Sequence, residues 1–202
     1  MNKDNLNSNL NEVRILKMLS HTNIIQIKEK LNKKSLANID IVMEFCECIE
    51  LIEDSLVKIE DNLKKIGDSL DLLDFICIAK QILEGVQYLH SCNIIHFDLK
   101  LANILMNKNF TIKIIDFGSA INLNNKNQQY QLNPTPENEP PEMVLAEATY
   151  IPSYHYDIWC VGLLLYRLLF LEVKSFSLHL SSAPIIKIFL LIITKKGLRI
   201  LI

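Results

Sequence analysis

Four absences narrow what this chain can be. It has no basic excess: 21 lysines and arginines face 23 aspartates and glutamates, for a net charge of −2 and a pI near 6.2. A nucleic-acid binder shows a basic face or a domain pI above about 9, so neither RNA nor DNA is an expected partner. No second Cys/His pair at zinc spacing follows Cys46-Glu47-Cys48, which argues against a thiolate metal site. The cysteines, Cys46, Cys48, Cys77, Cys92 and Cys160, are odd in number and mostly embedded in apolar patterns. They read as buried free thiols of an intracellular, cytoplasmic protein. An apolar leader is missing too, since Met1–Leu10 is polar and rich in asparagine, unlike a signal peptide. Finally, the apolar stretch Pro184–Thr194 is interrupted by Lys187 and falls short of the roughly 20 residues a bilayer requires. A membrane span is not expected there; a sticky, partly exposed tail is.

What is present is enough apolar material for a core. Half of the 202 residues are hydrophobic, which suits one good-sized domain or two small ones. The most informative stretch is His96-Phe97-Asp98-Leu99-Lys100-Leu101-Ala102-Asn103, followed further on by Asp116-Phe117-Gly118. Between them lie two short aliphatic segments, Ile104–Met106 and Ile112–Ile115, separated by the turn-prone Asn107-Lys108-Asn109. This pattern predicts a small hairpin. Such a hairpin carries the loop before its first strand next to the loop after its second, so Asp98, Lys100, Asn103 and Asp116 should converge. A phosphoryl-transfer site needs that set: Asn103 and Asp116 offer hard oxygen ligands for Mg²⁺, Lys100 a point charge for the moving phosphoryl group, and Asp98 a carboxylate to orient the attacking hydroxyl. Taken singly, such Asp and Asn residues are ordinary loop and cap formers; together, at this spacing, they are more.

The two motifs resemble the catalytic loop and the metal-binding loop of eukaryotic protein kinases. Asp98-Leu99-Lys100 with Asn103 resembles the serine/threonine subtype, since tyrosine kinases usually lack a lysine at the place of Lys100. The resemblance implies a two-lobed α+β fold, ATP and Mg²⁺ as cofactors, and a protein serine or threonine hydroxyl as acceptor. It also places further residues. Asn11–Leu19, with apolar Val13, Ile15, Leu16 and Leu19 in a helical stripe, resembles the family's C helix, and Glu12 falls where the family has a glutamate paired with a strand lysine. Read alone, Glu12 is a solvated residue near a helix N-terminus. Ile24–Lys30 and Ile39–Phe45 read as strands, and Ile41–Cys46 resembles the hinge. There Met43 would wall the adenine pocket, backbone groups of Glu44 and Cys46 would bond the adenine edge, and Leu105 would floor it. Ile49–Leu70 reads as a charged helix, and Leu72–Ser91 as a long core helix with Leu73, Ile76, Ala79, Ile82, Leu83, Val86 and Leu89 at helical spacing. His90, at its end, reads as a packed histidine.

Later segments extend the likeness. Thr135 matches the threonine that bonds the catalytic Asp and Lys, and Pro140-Pro141-Glu142 stands for the end of the activation segment, after an Asn/Gln-rich run at Asn122–Gln131. Asp157-Ile158-Trp159-Cys160-Val161-Gly162 resembles the head of the family's F helix, running to about Leu171, whose aspartate holds the catalytic loop; alone, Asp157 would be a plain N-cap. Departures are equally specific. Phe97 replaces an arginine that grips a segment phosphate, which argues against activation by phosphorylation of that segment. Leu101 replaces a proline, and Asn138 replaces a tyrosine of the substrate platform. After Leu171 the likeness stops, and Glu142 is expected to be buried without its cation. The eleven residues before Glu12 hold no glycine and no apolar strand, with Lys3 as their one cation. The glycine-rich loop and its paired lysine therefore have no counterpart in this chain, and loss of one such preorganised charge commonly costs on the order of 10²–10³ in rate.

The expected organisation is a small-lobe remnant over residues 1–46, a large lobe over 47–171 with catalytic loop and activation segment, and an atypical hydrophobic tail over 172–202. Two functions compete. One is a serine/threonine kinase-like domain with Asp98, Lys100 and Thr135 at the reaction centre and Asn103 and Asp116 on the metal. The other is a catalytically inactive pseudokinase or fragment that binds partners through its helical lobe. A binding module has no physical need of the Asp98/Asn103/Asp116 set, whereas the missing phosphate loop favours it.

Overall fold

The computed structural model describes residues 3–32, 39–50, 72–107, 109–125, 135–146 and 150–173. Helix α1, Lys3–Leu16, starts earlier than the apolar stripe alone predicts, and buries Val13, Ile15 and Leu16, with Leu19 just beyond it. Strands β1, Ile27–Asn32, and β2, Ile39–Met43, pair antiparallel with an irregularity between Ile27 and Glu29. The predicted strand starting at Ile24 begins three residues late, because Ile24 is held by a single parallel bridge to Ile114. Strand β3, Cys48–Glu50, pairs with β5, Ile104–Asn107, and β5 pairs with β6, Ile112–Ile114. The predicted hairpin is thus present, shorter by Ile115. A second two-stranded sheet joins β4, Ile94–Ile95, to β7, Ile121–Asn122.

Helix α2 spans Leu72–Ser91, as its periodicity predicts, but its buried stripe begins at Phe75 and Ile78. Leu73 is exposed, and Ile76 is only half-buried though still packed against the core. After a short 3₁₀ turn at Pro136–Asn138 come α3, Pro141–Ala146, and α4, Tyr154–Val173. Tyr156, Cys160, Val161, Leu164, Leu165 and Leu168 of α4 join Ile78, Ile82 and Leu89 of α2 and Ile104, Met106, Ile112 and Ile114 of the hairpin in one core. The mixture of helices and small sheets is the expected α+β class.

Several expectations need correction. Ile49 and Glu50 belong to β3 and not to a charged helix; the rest of that stretch, the run 126–134 and the tail from 174 lie outside the described residues. Glu142 is exposed, so it carries no desolvation penalty for want of a cation. Among the cysteines whose side chains are described, Cys160 is a buried free thiol. Cys92 is half-buried and Cys77 exposed, both free, while Cys46 is disulfide-bonded. No helix among the described residues is long and apolar enough to cross a membrane.

Candidate active site

Asp157 shapes the loop that carries the candidate residues. It is fully buried in the first turn of α4, but does not cap that helix. One carboxylate oxygen accepts from the His96 amide at 2.9 Å and the other from the Phe97 amide at 3.0 Å. His90, expected merely to pack, places Nε2 2.9 Å from the same carboxylate. The two backbone bonds lead into a residue in the left-handed region, Phe97 at φ 65°, a conformation that costs an L-residue about 1–2 kcal/mol. The Phe97 ring is buried and stacks on Tyr156 with centroids 4.1 Å apart. Where an arginine would reach outward to a phosphate, this side chain points into the core.

Past that bend, three side chains close a ring and a fourth joins it at Asp98. Thr135 Oγ1 donates to Asp98 Oδ1 at 2.7 Å, and Lys100 Nζ lies 3.0 Å from Asp98 Oδ2 and 3.2 Å from Thr135 Oγ1. Asn103 Nδ2 donates to the Asp98 carbonyl at 2.8 Å and to Asp98 Oδ2 at 3.0 Å. Asn103 is buried, and its amide geometry directs Oδ1 away from Asp98. The second loop is fixed to the first by His96, whose Nε2–H donates to the Ile115 carbonyl at 2.9 Å while Nδ1 accepts from the Asp98 amide at 3.3 Å. That pair of partners specifies the tautomer. The Ile115 amide also donates to the Asn103 carbonyl at 3.0 Å. Asp116 is therefore one residue removed from both Asn103 and His96. It is exposed, has φ 61°, and its Oδ1 accepts from the Gly118 amide at 3.3 Å.

Glu12 does reach this region. The partner described for its carboxylate is the Phe117 amide, at 3.4 Å, and not a lysine. Burial pushes the Glu12 pKa up; the Phe117 bond opposes the rise and the Asp116 charge adds to it. Beside it, Asn11 Nδ2 donates to the Ala120 carbonyl at 2.8 Å and the Gly118 carbonyl at 3.3 Å. Neither the Asn11 contacts nor the two ring partners of His96 can be read from sequence, since nothing near them in the chain indicates partners so distant.

At the other end, Met43 is half-buried and packs on the core. Cys46 lies in the irregular segment between β2 and β3. Leu105, half-buried on β5, faces Lys113 in register on β6. Lys113 Nζ is 2.7 Å from Glu44 Oε1, which connects the predicted hinge to the hairpin.

The donor set bears on a metal. Among the described residues no group of three or more His, Cys, Asp or Glu could hold an ion by itself. Mg²⁺ does not need one, since it binds through one or two carboxylates together with substrate phosphates. Asn103 Oδ1 and the outer oxygen of Asp116, on neighbouring loops, suit that mode.

Comparison with known proteins decides the family. The sequence family described as Protein kinase domain matches residues 1–188. The chain belongs to the protein kinase family. Among its relatives, Myosin light chain kinase 3 of Danio rerio is 36% identical over 161 residues, covering 79% of this chain and 21% of the relative. Serine/threonine-protein kinase par-4 of Caenorhabditis elegans is 32% identical over 160 residues, covering 78% and 25%. Cell cycle serine/threonine-protein kinase CDC5/MSD2 of Saccharomyces cerevisiae is 34% identical over 161 residues, covering 79% and 21%. The matched region thus spans between 21% and 25% of those relatives. What the chain holds is a kinase-like α+β domain with an incomplete small lobe.

Proposed function

We propose that this protein kinase-like domain binds ATP with Mg²⁺ and transfers the γ-phosphoryl group to a serine or threonine hydroxyl of a protein. The observation that carries the reading is the ring closed by Asp98, Lys100 and Thr135, with Asn103 bonded to Asp98. In it Asp98 is held by three donors in one orientation, ready to accept the bond of an incoming hydroxyl. Lys100, anchored on Asp98 and Thr135, places its charge beside the transferred group. Thr135 ties the activation segment to the catalytic loop, so the acceptor protein and the base share one frame. Asn103 Oδ1 and Asp116 would hold Mg²⁺, which supplies neutralisation of the β- and γ-phosphate oxygens. Met43, the backbone of Glu44 and Cys46, and Leu105 would take the adenine, with Glu12 supporting the Phe117 amide next to the metal loop. Catalysis on this plan is positioning and electrostatics.

The division into a small lobe over 1–46 and a large lobe over 47–171 belongs to the same reading, and is supported by β3 pairing with β5 immediately after Cys46. A cytoplasmic setting is supported by the free Cys77, Cys92 and Cys160; the Cys46 disulfide is the observation against it. The second reading is a partner-binding module without transfer, in which the Glu12 carboxylate only holds the Phe117 amide in place. One experiment separates the two. With Mg-ATP and a generic basic protein, the wild type should incorporate phosphate, and Asp98→Asn should lower incorporation by about 10²–10⁴-fold, the usual worth of a positioned base. Equal incorporation by both proteins overturns the catalytic reading.

A further inference from the structure

The short segment Asn23–Gln26 lies between two edges. On one side the Ile114 amide donates to the Asn23 carbonyl at 2.8 Å and the Ile25 amide donates to the Ile114 carbonyl at 3.0 Å. On the other, the Glu44 amide donates to the Gln26 carbonyl at 2.8 Å and the Gln26 amide donates to Glu44 Oε1 at 2.9 Å. Residues from β6, from the loop after α1 and from the end of β2 thus form one continuous hydrogen-bonded strip. The Lys113–Glu44 ion pair runs from β6 to the far edge, so it closes the strip across the segment it encloses. Both side chains are largely covered, with 16% and 21% of their surface exposed. A charge so placed is held by its partner, since separating the pair leaves an unmatched, mostly desolvated ion.

We infer that Lys113 is a positioning residue for adenine recognition. The inference rests on the reading of Glu44 and Cys46 as the adenine edge. By fixing the Glu44 carboxylate, Lys113 sets the offset between the hinge backbone and Leu105, which faces Lys113 in register across the hairpin. It touches no reacting atom. Its removal therefore weakens contacts to the base and leaves contacts to the phosphates alone.

The test measures binding by calorimetry on the full chain with two probes, MgADP and magnesium tripolyphosphate. Lys113→Met should raise the Kd for MgADP about tenfold, about 1.4 kcal/mol, with the tripolyphosphate Kd unchanged. Lys113→Arg, which keeps the charge, should restore most of the loss. In the absence of nucleotide, the Gln26 and Glu44 amides should exchange with deuterium faster in Lys113→Met than in the wild type. Equal MgADP affinity in wild type and Lys113→Met overturns the inference and leaves the kinase reading intact; so does parallel weakening of both probes. If the wild type binds neither probe, the adenine-site reading fails and the inference falls with it.

Discussion

Phe97 and Asp116 share a feature rare for residues other than glycine: each has a positive φ, 65° and 61°. Each is followed or preceded by a donor whose direction matters to the candidate site, and such strain persists only where neighbours over-determine it. For Phe97 the neighbours are Asp157, with two backbone bonds, and Tyr156, with the stacked ring. Asp157→Ala should therefore do more than remove a carboxylate. It orphans the buried His96 and Phe97 amides, takes the anionic partner from His90, and releases the bend. Losses of this kind sum to about 3–5 kcal/mol. Denaturant unfolding should show a loss of that size, and Asp157→Asn, which keeps one acceptor oxygen, should lie between the two. A loss below about 1 kcal/mol, the level of a simple lost cap, would mean that the bend is held elsewhere.

The β5–β6 hairpin is the element that brings the two motif loops together, and α2, besides packing on it, bonds to it through the Gln81 side chain. Gln81 Oε1 accepts from the Ile112 amide at 3.1 Å and from Asn23 Nδ2 at 2.9 Å, while Gln81 Nε2 donates to the Phe110 carbonyl at 2.7 Å. Asn23 Nδ2 donates also to the Ile112 carbonyl at 3.1 Å. The approach is close: a Cβ on Gly85 would lie 2.7 Å from Ile114 Cδ1. Gln81→Ala should cost about 2–3 kcal/mol, because it strands buried backbone and amide groups, and lower Tm by roughly 5–10 °C. A shift of less than 2 °C, about what one weak bond is worth, would show the hairpin to be self-supporting. None of these partners was legible in the sequence, and the reason is physical. The hairpin, α2 and the Asp98–Asn103 spacing are written in local periodicity and turn chemistry, so they could be read. Gln81, Asn23, Asn11, His96 and Lys113 act across long separations, where a polar residue gives no sign of its partner. Family likeness pointed to Thr135 and Asp157, and both make side-chain bonds to the catalytic-loop residues it named. It misdirected Glu142, which lies exposed on a surface.

At the scale of the molecule, the strip through Asn23–Gln26 joins the β1–β2 pair to the hairpin, and one titratable group sits at its entrance. His21 Nδ1 accepts from the Asn23 amide at 3.1 Å, and its ring stacks on Tyr88 with centroids 5.0 Å apart. Burial lowers the His21 pKa from 6.5; Glu84 on α2 opposes the shift and Lys113 on β6 adds to it. The sign follows from linkage. A histidine whose folded pKa lies below its unfolded value binds fewer protons folded than unfolded, so stability rises with pH through that window. The contribution is complete above pH 6.5 and is lost as pH falls from there toward the folded pKa, where protonation also removes the acceptor that the Asn23 amide uses. Melting curves of the full chain at pH 7.5 and pH 5.5 should show a larger drop in Tm for the wild type than for His21→Phe, which keeps the stack on Tyr88 and cannot titrate. The drop should be accompanied by weaker protection from deuterium exchange, relative to the intrinsic rate at each pH, at Asn23 and Ile25, the first amides of the strip. If the two proteins lose the same number of degrees between those pH values, His21 does not carry the acid sensitivity of the fold, and the strip is held by its backbone bonds whatever the charge at its entrance.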